Sequence, residues 1–187
     1  GNDKFTITSG SDTITDLTTG DILIVSADGS ANAIGISQFI ATTETFNNGE
    51  ARLTSGDSGS TITLTNSSAG AYSLFGGSGI DVLTGGTDND TLSGHLNNDI
   101  LDGGVGNDTL TGGTGNDKFK VTSGIDAITD LTSGDVLIVS AGATANATEI
   151  SNFTATSETS NSGTANLSSV NNGSTITLTD SSLGAYT

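Results

Sequence analysis

The feature that most constrains this chain is a nine-residue repeat that fills its middle. Five units follow one another without a gap: GGSGIDVLT (76–84), GGTDNDTLS (85–93), GHLNNDILD (94–102), GGVGNDTLT (103–111) and GGTGNDKFK (112–120). Each unit begins with Gly, has Asp in the sixth place and has an apolar residue two places later. A period this short and regular is typical of a repeat architecture in which each unit stabilises its neighbours.

Each unit is too small to bury its own apolar residue. The Gly-rich half favours a tight turn, and the three residues around the Leu predict a very short strand with one inward side chain. Two units then make one coil of about eighteen residues, and stacked coils bury ladders of apolar side chains. We therefore predict an all-β parallel solenoid with two ladders: Leu83, Leu101 and Phe119 on one side, and Leu92, Leu110 and Ile128 on the other.

The same stacking places Asp above Asp at the ~4.8 Å spacing of adjacent strands. One predicted column contains Asp81, Asp99 and Asp117, and the other contains Asp90, Asp108 and Asp126. Carboxylates this close repel by about 1 kcal/mol per pair in water, and by more when they are partly buried. A hard divalent cation reverses this sign, and calcium takes 6–8 oxygen ligands from carboxylates and backbone carbonyls. We therefore expect cations between the stacked turns.

Composition supports bound cations and excludes several other classes of protein. The chain has 21 Asp+Glu against 4 Lys+Arg, for a formal net charge of −17, so a basic nucleic-acid footprint is missing. It contains no Cys, which excludes a disulfide framework and thiolate metal sites. No apolar run is long enough to predict a membrane span. With so much negative charge and few aromatic residues, the chain is either disordered or stabilised by cations.

GGSGIDVLT, GGVGNDTLT and GGTGNDKFK resemble the nonapeptide of the RTX (repeats-in-toxin), or hemolysin-type calcium-binding, family. The resemblance implies a right-handed parallel β-roll with calcium in each turn. It also implies secretion through a type I system and calcium-driven folding outside the cell.

We expect roughly three to six calcium ions, because adjacent loops in the two columns form a limited number of sites. Two units depart from the pattern: Asp88 replaces a fourth-place Gly, and the next unit has His95 and Asn97 where glycines belong. The calcium sites predicted for these two units therefore rest on a poorer match to the pattern than those predicted for residues 103–117. The predicted calcium ligands are Gly76, Gly77, Gly79, Asp81, Gly85, Gly86, Asp88, Asp90, Asn97, Asp99, Gly103, Gly104, Gly106, Asp108, Gly112, Gly113, Gly115, Asp117 and Asp126.

A second, longer repeat has a period of 114 residues. Residues 1–73 align with 115–187 without a gap, and 48 of the 73 pairs are identical. We expect this chain to be a fragment of a larger tandem array. The predicted division is the tail of a preceding β-roll (1–26), a Thr/Ser-rich β region of irregular solenoid coils (27–73), the nonapeptide β-roll (74–139) and a second Thr/Ser-rich region (140–187). A separate β-sandwich and a disordered linker stay open as alternatives for the Thr/Ser-rich regions.

The sequence predicts a calcium-binding structural module of an extracellular or cell-surface protein of the adhesin, stalk or surface-layer type. The chain is not expected to be an enzyme, because its single His, His95, has no visible nucleophile or orienting acid and is predicted to be an exposed turn residue. The alternatives are a calcium-binding module of a secreted RTX enzyme or toxin and, from the Thr-x-Thr rows, an ice-binding solenoid. The expected partners are calcium ions and copies of the chain stacked head to tail through open strand edges. Neither nucleic acid nor a membrane span is expected, and the sequence identifies no carbohydrate or surface partner.

Overall fold

The computed structural model describes residues 1–170, 174–178, 184 and 186–187. Within this part of the chain every regular element is a β-strand, and no helix is present that could cross a bilayer. The strands are β1 (Lys4–Ile14), β2 (Ile22–Ile36), β3 (Gln38–Ile40), β4 (Phe46–Asn47), β5 (Glu50–Ser55), β6 (Thr61–Thr63), β7 (Tyr72–Gly77), β8 (Val82–Thr84), β9 (Thr91–Leu96), β10 (Ile100–Asp102), β11 (Thr109–Thr114), β12 (Lys118–Val121), β13 (Ile125–Ile128), β14 (Val136–Val139), β15 (Thr144–Ile150), β16 (Asn152–Thr154), β17 (Ser160–Asn161), β18 (Thr164–Ser169) and β19 (Thr175–Thr177).

The strands form a parallel β-solenoid of about nine turns, which confirms the predicted fold class. One sheet runs β1-β2-β5-β7-β9-β11-β13-β15-β18, with β4 also paired to β2, and the other runs β17-β14-β12-β10-β8-β6-β3. A short third sheet pairs β16 with β19. In the nonapeptide region Val82 pairs with Ile100 and Thr91 with Thr109, so one coil is 18 residues, or two units, long.

The core between the two sheets consists of the predicted apolar ladders. Leu83 is in register with Leu101 and Leu101 with Phe119, while Leu92 is in register with Leu110 and Leu110 with Ile128. All six side chains are 1% exposed or less. Each coil therefore contributes one buried side chain to each sheet, as the nine-residue period requires.

The first Thr/Ser-rich region winds into the same two sheets with longer coils. Gln38 pairs with Thr61 and Thr61 with Val82, which makes these coils 23 and 21 residues long. In the first sheet, buried Ala33 lies in the row that the nonapeptide coils fill with Leu, while buried Ala31 and Ala51 lie in the row of Tyr72. The second such region follows the same course through β15 and β18, although its residues 171–173, 179–183 and 185 lie outside the described part of the chain.

Candidate calcium sites

The aspartates of the nonapeptides lie inside the turns between the short strands. The structure places them in two columns, in the order that the spacing predicts, and each is 2% exposed or less. We call these the Asp columns: Asp81, Asp99 and Asp117, and Asp90, Asp108 and Asp126. Solvated surface carboxylates would be exposed, so their burial points to a specific role for these groups.

One oxygen of each column carboxylate holds the preceding coil. The backbone N–H of Asp81 donates to Oδ1 of Asp99 at 2.8 Å, and that of Asp99 donates to Oδ1 of Asp117 at 2.8 Å. In the other column the backbone N–H of Asp90 donates to Oδ1 of Asp108 at 2.7 Å, and that of Asp108 donates to Oδ1 of Asp126 at 3.0 Å. These charge-assisted hydrogen bonds therefore connect each coil to the next, between residues that are 18 positions apart in the sequence.

The second oxygen is left without a protein partner at four positions. Oδ2 is buried and accepts no hydrogen bond in Asp81, Asp99, Asp108 and Asp126. An ionised oxygen buried without a donor is strongly destabilising, and such groups in proteins are normally paired or coordinate a metal. These four atoms are therefore where a cation fits the structure.

The glycine in the first place of each unit packs against this second oxygen. A Cβ on Gly103 would lie 2.2 Å from Oδ2 of Asp108, and one on Gly112 would lie 2.3 Å from Oδ2 of Asp117. Neither glycine has a positive φ, so the close approach of the carboxylate, and not the backbone conformation, requires Gly here. Gly76 and Gly85 contact Asp81 and Asp90 in the same way. At Gly76 and Gly103, uncovered backbone therefore lies beside an unpartnered oxygen, as a carbonyl-rich cation site needs. Oδ2 of Asp90, in contrast, already accepts the N–H of Gly86 at 2.6 Å.

The remaining predicted ligands lie on the same turns but differ in their surroundings. A Cβ on Gly106 would lie 2.6 Å from the backbone oxygen of Asp88, and one on Gly115 would lie 2.2 Å from that of Asn97, both in the preceding coil. The backbone of Asn97 is left-handed with φ 74°, and its side chain donates to the carbonyl of Ser78 at 2.6 Å. The side chain of Asp88 is exposed, and its Oδ2 accepts the N–H of Gly70 at 2.7 Å, so one of its oxygens is already engaged. The other second- and fourth-place glycines lie on the same turns: Gly77, Gly79, Gly86, Gly104 and Gly113.

The electrostatics of the columns favour neutralisation. Burial, and then the negative charges of Asp117 and Asp81, raise the pKa of Asp99 to about 7, against the lowering effect of the hydrogen bond from Asp81. Burial is also the main cause that raises the pKa of Asp126 to about 7 and the pKa values of Asp90 and Asp117 to about 6. The neighbouring carboxylates add to this effect, as the predicted repulsion requires. A bound divalent cation would remove this cost.

Side chains alone do not complete a metal site in the described part of the chain. Nowhere among these residues do three or more His, Cys, Asp or Glu side chains converge closely enough to hold an ion. A calcium ion between two turns would therefore take most of its oxygens from backbone carbonyls, which calcium accepts readily.

A ladder of asparagines, which the sequence analysis did not single out, also connects the turns. These side chains accept N–H groups from the following coil, whereas the aspartates accept them from the preceding coil. Oδ1 of Asn89 accepts the N–H of Asn107 at 2.8 Å, Oδ1 of Asn107 accepts that of Ile125 at 2.9 Å, and Oδ1 of Asn98 accepts that of Asn116 at 2.9 Å. Each turn is thus tied to the coil before it by Asp and to the coil after it by Asn. The signal in the sequence is Asn in the fifth place of four consecutive units.

The segment that follows the last unit closes the array without any unpartnered carboxylate oxygen. Oδ1 of Asp135 accepts the N–H of Asp117 at 2.8 Å, and its Oδ2 accepts both the N–H and the hydroxyl of Thr132 at 2.7 and 3.0 Å. Asp130 accepts the N–H groups of Gly112 and Gly113 at 2.9 and 2.6 Å. We call residues 130–135 the closing segment. Its sequence DLTSGD returns at 16–21 as DLTTGD, where Thr18 and Asp21 make the same contacts at 2.8 and 3.0 Å.

His95 is exposed, as predicted, but it lies in β9 and not in a turn, and no acid in the described part of the chain orients its ring. Its backbone is left-handed with φ 79°, and its ring stacks on Phe75 with centroids 6.1 Å apart. The structure therefore gives His95 an aromatic neighbour on the outer surface and no part in the Asp columns.

Comparison with known proteins agrees with this geometry. A family model described as RTX calcium-binding nonapeptide repeat (4 copies) matches residues 75–110 and again residues 96–128. No curated protein and no solved structure matches the chain. The matched residues contain both Asp columns and all four unpartnered carboxylate oxygens. Residues 75–128 of this parallel β-solenoid therefore belong to the RTX calcium-binding nonapeptide repeats.

Proposed function

We propose that the nonapeptide turns hold a row of calcium ions along each Asp column and that the chain is a structural module which these ions fold. The observation that carries the proposal is the set of four buried Oδ2 atoms that no protein group satisfies. They repeat at coil intervals, in contrast to the satisfied carboxylate of Asp135 at the end of the array. Roughly three to six ions would occupy these turns, with the column carboxylates and the carbonyls of the Gly-rich turns as ligands.

Calcium acts in this proposal as the switch for folding. Without calcium, burial and mutual repulsion disfavour ionised column carboxylates, so the chain remains unfolded where calcium is scarce. In calcium-rich surroundings, an ion that binds only the folded chain adds its binding free energy directly to stability. A chain with this property can pass through a secretion channel unfolded and fold outside the cell.

The biological role that we propose is a spacer or surface module of a secreted protein, in the manner of an adhesin, stalk or surface layer. The 114-residue duplication supports it, because similar segments that recur along one solenoid lengthen it without a new fold. The outer row beside Thr61 continues with Val82, Ile100 and Lys118, which is not the regular threonine array that ice binding needs. End-to-end association through the open edge of β1 is part of the proposal, and sedimentation at high protein concentration tests it.

Calcium titration of the whole chain tests the proposal. Circular dichroism should show a coil-to-β transition as calcium is added in excess of a chelator, and calorimetry should count several ions. Asp108→Ala should weaken calcium binding more than Asp57→Ala, because Asp57 is exposed and lies outside the columns. Unchanged spectra in chelator would refute the folding switch, and equal losses in the two variants would refute the ligand assignment.

A further inference from the structure

We propose that the outer face of the first sheet carries a binding site for a carboxylated sugar unit, centred on Arg52. This site is centred on Arg52 and not on the Asp columns, although Asn89 of a nonapeptide turn lines its edge, and it depends on calcium only through the fold that the ions stabilise. A groove of about 460 Å³ lies on this face, at the junction between the first Thr/Ser-rich coils and the nonapeptide coils. The polar residues that line it include Asn32, Glu50, Arg52, Ser73, Asn89 and Thr91.

Arg52 is the one cationic side chain without an ion pair among the residues that the structure describes. The others are each paired: Lys4 lies 3.7 Å from Glu44, Lys118 lies 2.6 Å from Glu158, and Lys120 lies 3.2 Å from Asp102. In a chain with a net charge of −17, an unpaired guanidinium is unexpected. It is therefore a group whose charge is available to a ligand.

An aromatic platform fixes the position of this guanidinium. Arg52 is in register with Ser73, which makes Phe75 its diagonal neighbour on the same face of the sheet. The guanidinium carbon lies 3.5 Å from the centroid of the Phe75 ring, and the ring of His95 also stacks on Phe75. A guanidinium held flat on a ring keeps its N–H edges free for an acceptor, and less side-chain entropy is lost on binding.

In the second copy of the 114-residue repeat, side-chain hydrogen bonds link the equivalent row of residues across the first sheet. There, the side-chain amide of Asn166 donates to Oδ1 of Asn146 at 2.7 Å, and the hydroxyl of Thr187 donates to Oδ1 of Asn166 at 2.5 Å. The equivalent residues in the first copy, 114 positions earlier, are Asn32, Arg52 and Ser73.

In the first copy Arg52 stands where the second copy has the central Asn166, and the side-chain hydrogen bonds along the row are not made. Because the guanidinium lies on Phe75, Oδ1 of Asn32 is buried without any hydrogen-bond partner. This oxygen lies below the surface of the groove, so a ligand meets Arg52 as a cation without a carboxylate partner and does not reach Asn32 Oδ1. Glu50, which is exposed and takes the place of Thr164 of the second copy, is the acceptor that lines the groove.

These groups select the chemistry of the ligand. Arg52 needs an anionic acceptor, and its planar N–H edge matches a carboxylate. Glu50 needs donors, which hydroxyl groups supply. A phosphate would bring more negative charge toward Glu50 and an acidic chain, whereas a single carboxylate brings less. A uronic-acid unit of a polysaccharide, with one carboxylate and several hydroxyls, meets both requirements.

Binding of a defined uronic-acid oligosaccharide tests the site. The whole chain is titrated by calorimetry in saturating calcium with oligogalacturonate, with the uncharged oligosaccharide of the same linkage, and with a sugar phosphate. The acidic sugar should bind, and Arg52→Asn, which reproduces the row of the second copy, should weaken binding roughly tenfold or more. Glu50→Ala should also weaken it, because the acceptor for the sugar hydroxyls is lost.

Two matched variants separate this site from general effects of charge and folding. Asn166→Ala changes the equivalent position in the second copy, and Lys4→Gln removes one positive charge elsewhere. Both should leave binding unchanged, and all variants should keep the circular dichroism and the calcium midpoint of the parent chain. The proposal is overturned by no binding of oligogalacturonate, by equal binding of the uncharged sugar, by stronger binding of the sugar phosphate, or by an equal loss in Lys4→Gln and Arg52→Asn.

Discussion

Asp108 and Asp135 occupy equivalent places in the turns, yet the same substitution should affect them differently. Asp108→Asn keeps the Oδ1 that accepts the N–H of Asp90, and it replaces the unpartnered Oδ2 by an uncharged NH₂ group. In Asp135→Asn the same NH₂ group faces the N–H of Thr132, which loses its acceptor. The Thr132 hydroxyl can rotate and accept instead, so the net loss is about one hydrogen bond to a charged group, or about 2 kcal/mol of unfolding free energy.

Urea unfolding at a series of free calcium concentrations separates the two effects. Each ion taken up on folding adds about 1.4 kcal/mol to the unfolding free energy for every tenfold rise in calcium. Asp135→Asn should lower the unfolding free energy by about 2 kcal/mol at every calcium concentration and leave this slope unchanged. Asp108→Asn should reduce the slope by about one ion, because it weakens a ligand between two turns.

Two results would contradict the predicted difference between Asp108→Asn and Asp135→Asn. A reduced slope in Asp135→Asn would mean that the closing segment binds calcium and that Thr132 does not replace an ion there. An unchanged slope in Asp108→Asn would mean that its unpartnered oxygen is not a calcium ligand. Asp21→Asn, in the first copy of the closing segment, is the matched control and should behave like Asp135→Asn.

Three further predictions concern the calcium-free chain and the core. Because burial raises the pKa of column carboxylates such as Asp99 to about 7, above the ordinary value of 3.8, protonation favours the folded state. In chelator, β structure followed by circular dichroism should therefore increase as the pH falls from 8 to about 5, and a loss over that range would contradict the assignment. Leu110→Ala, in a fully buried ladder, should lower the unfolding free energy in calcium by about 2–5 kcal/mol, whereas Val105→Ala on the surface should change it by less than about 0.5 kcal/mol. Gly112→Ala should raise the calcium midpoint, because its Cβ would displace the Asp117 carboxylate, while Gly56→Ala has only carbonyl atoms at 3.8 Å or more and should leave the midpoint unchanged.

The closing segment gives the array an end that needs no cation. Asp130 and Asp135 accept four backbone N–H groups between them, from Gly112, Gly113, Asp117 and Thr132. The coil that follows the nonapeptides can therefore be held by protein groups alone. The same segment in the first copy places such an end before each Thr/Ser-rich region.

Much of the fold follows from the sequence because its period is short and regular. With nine residues per unit and two units per coil, residue i lies beside residue i+18, so the partners of Leu101 and Asp99 can be named without coordinates. The roles within one unit were harder to assign. The Asn in the fifth place looks like a turn residue, and only the stacked backbone reveals that it accepts an N–H from the next coil.

The sequence by itself determined the solenoid, the two apolar ladders and the Asp columns, because all of these repeat at a constant spacing. Only the tertiary structure decided which carboxylate oxygens are satisfied, since Thr132 reaches Asp135 through a local turn that the nine-residue pattern does not contain. The structure alone also brought Arg52 onto Phe75, because the coil between them is 21 residues long and its register departs from the regular period. The physical reason is the same in both cases: a regular repeat specifies its own neighbours, whereas an irregular coil acquires its contacts only when the chain has folded around it.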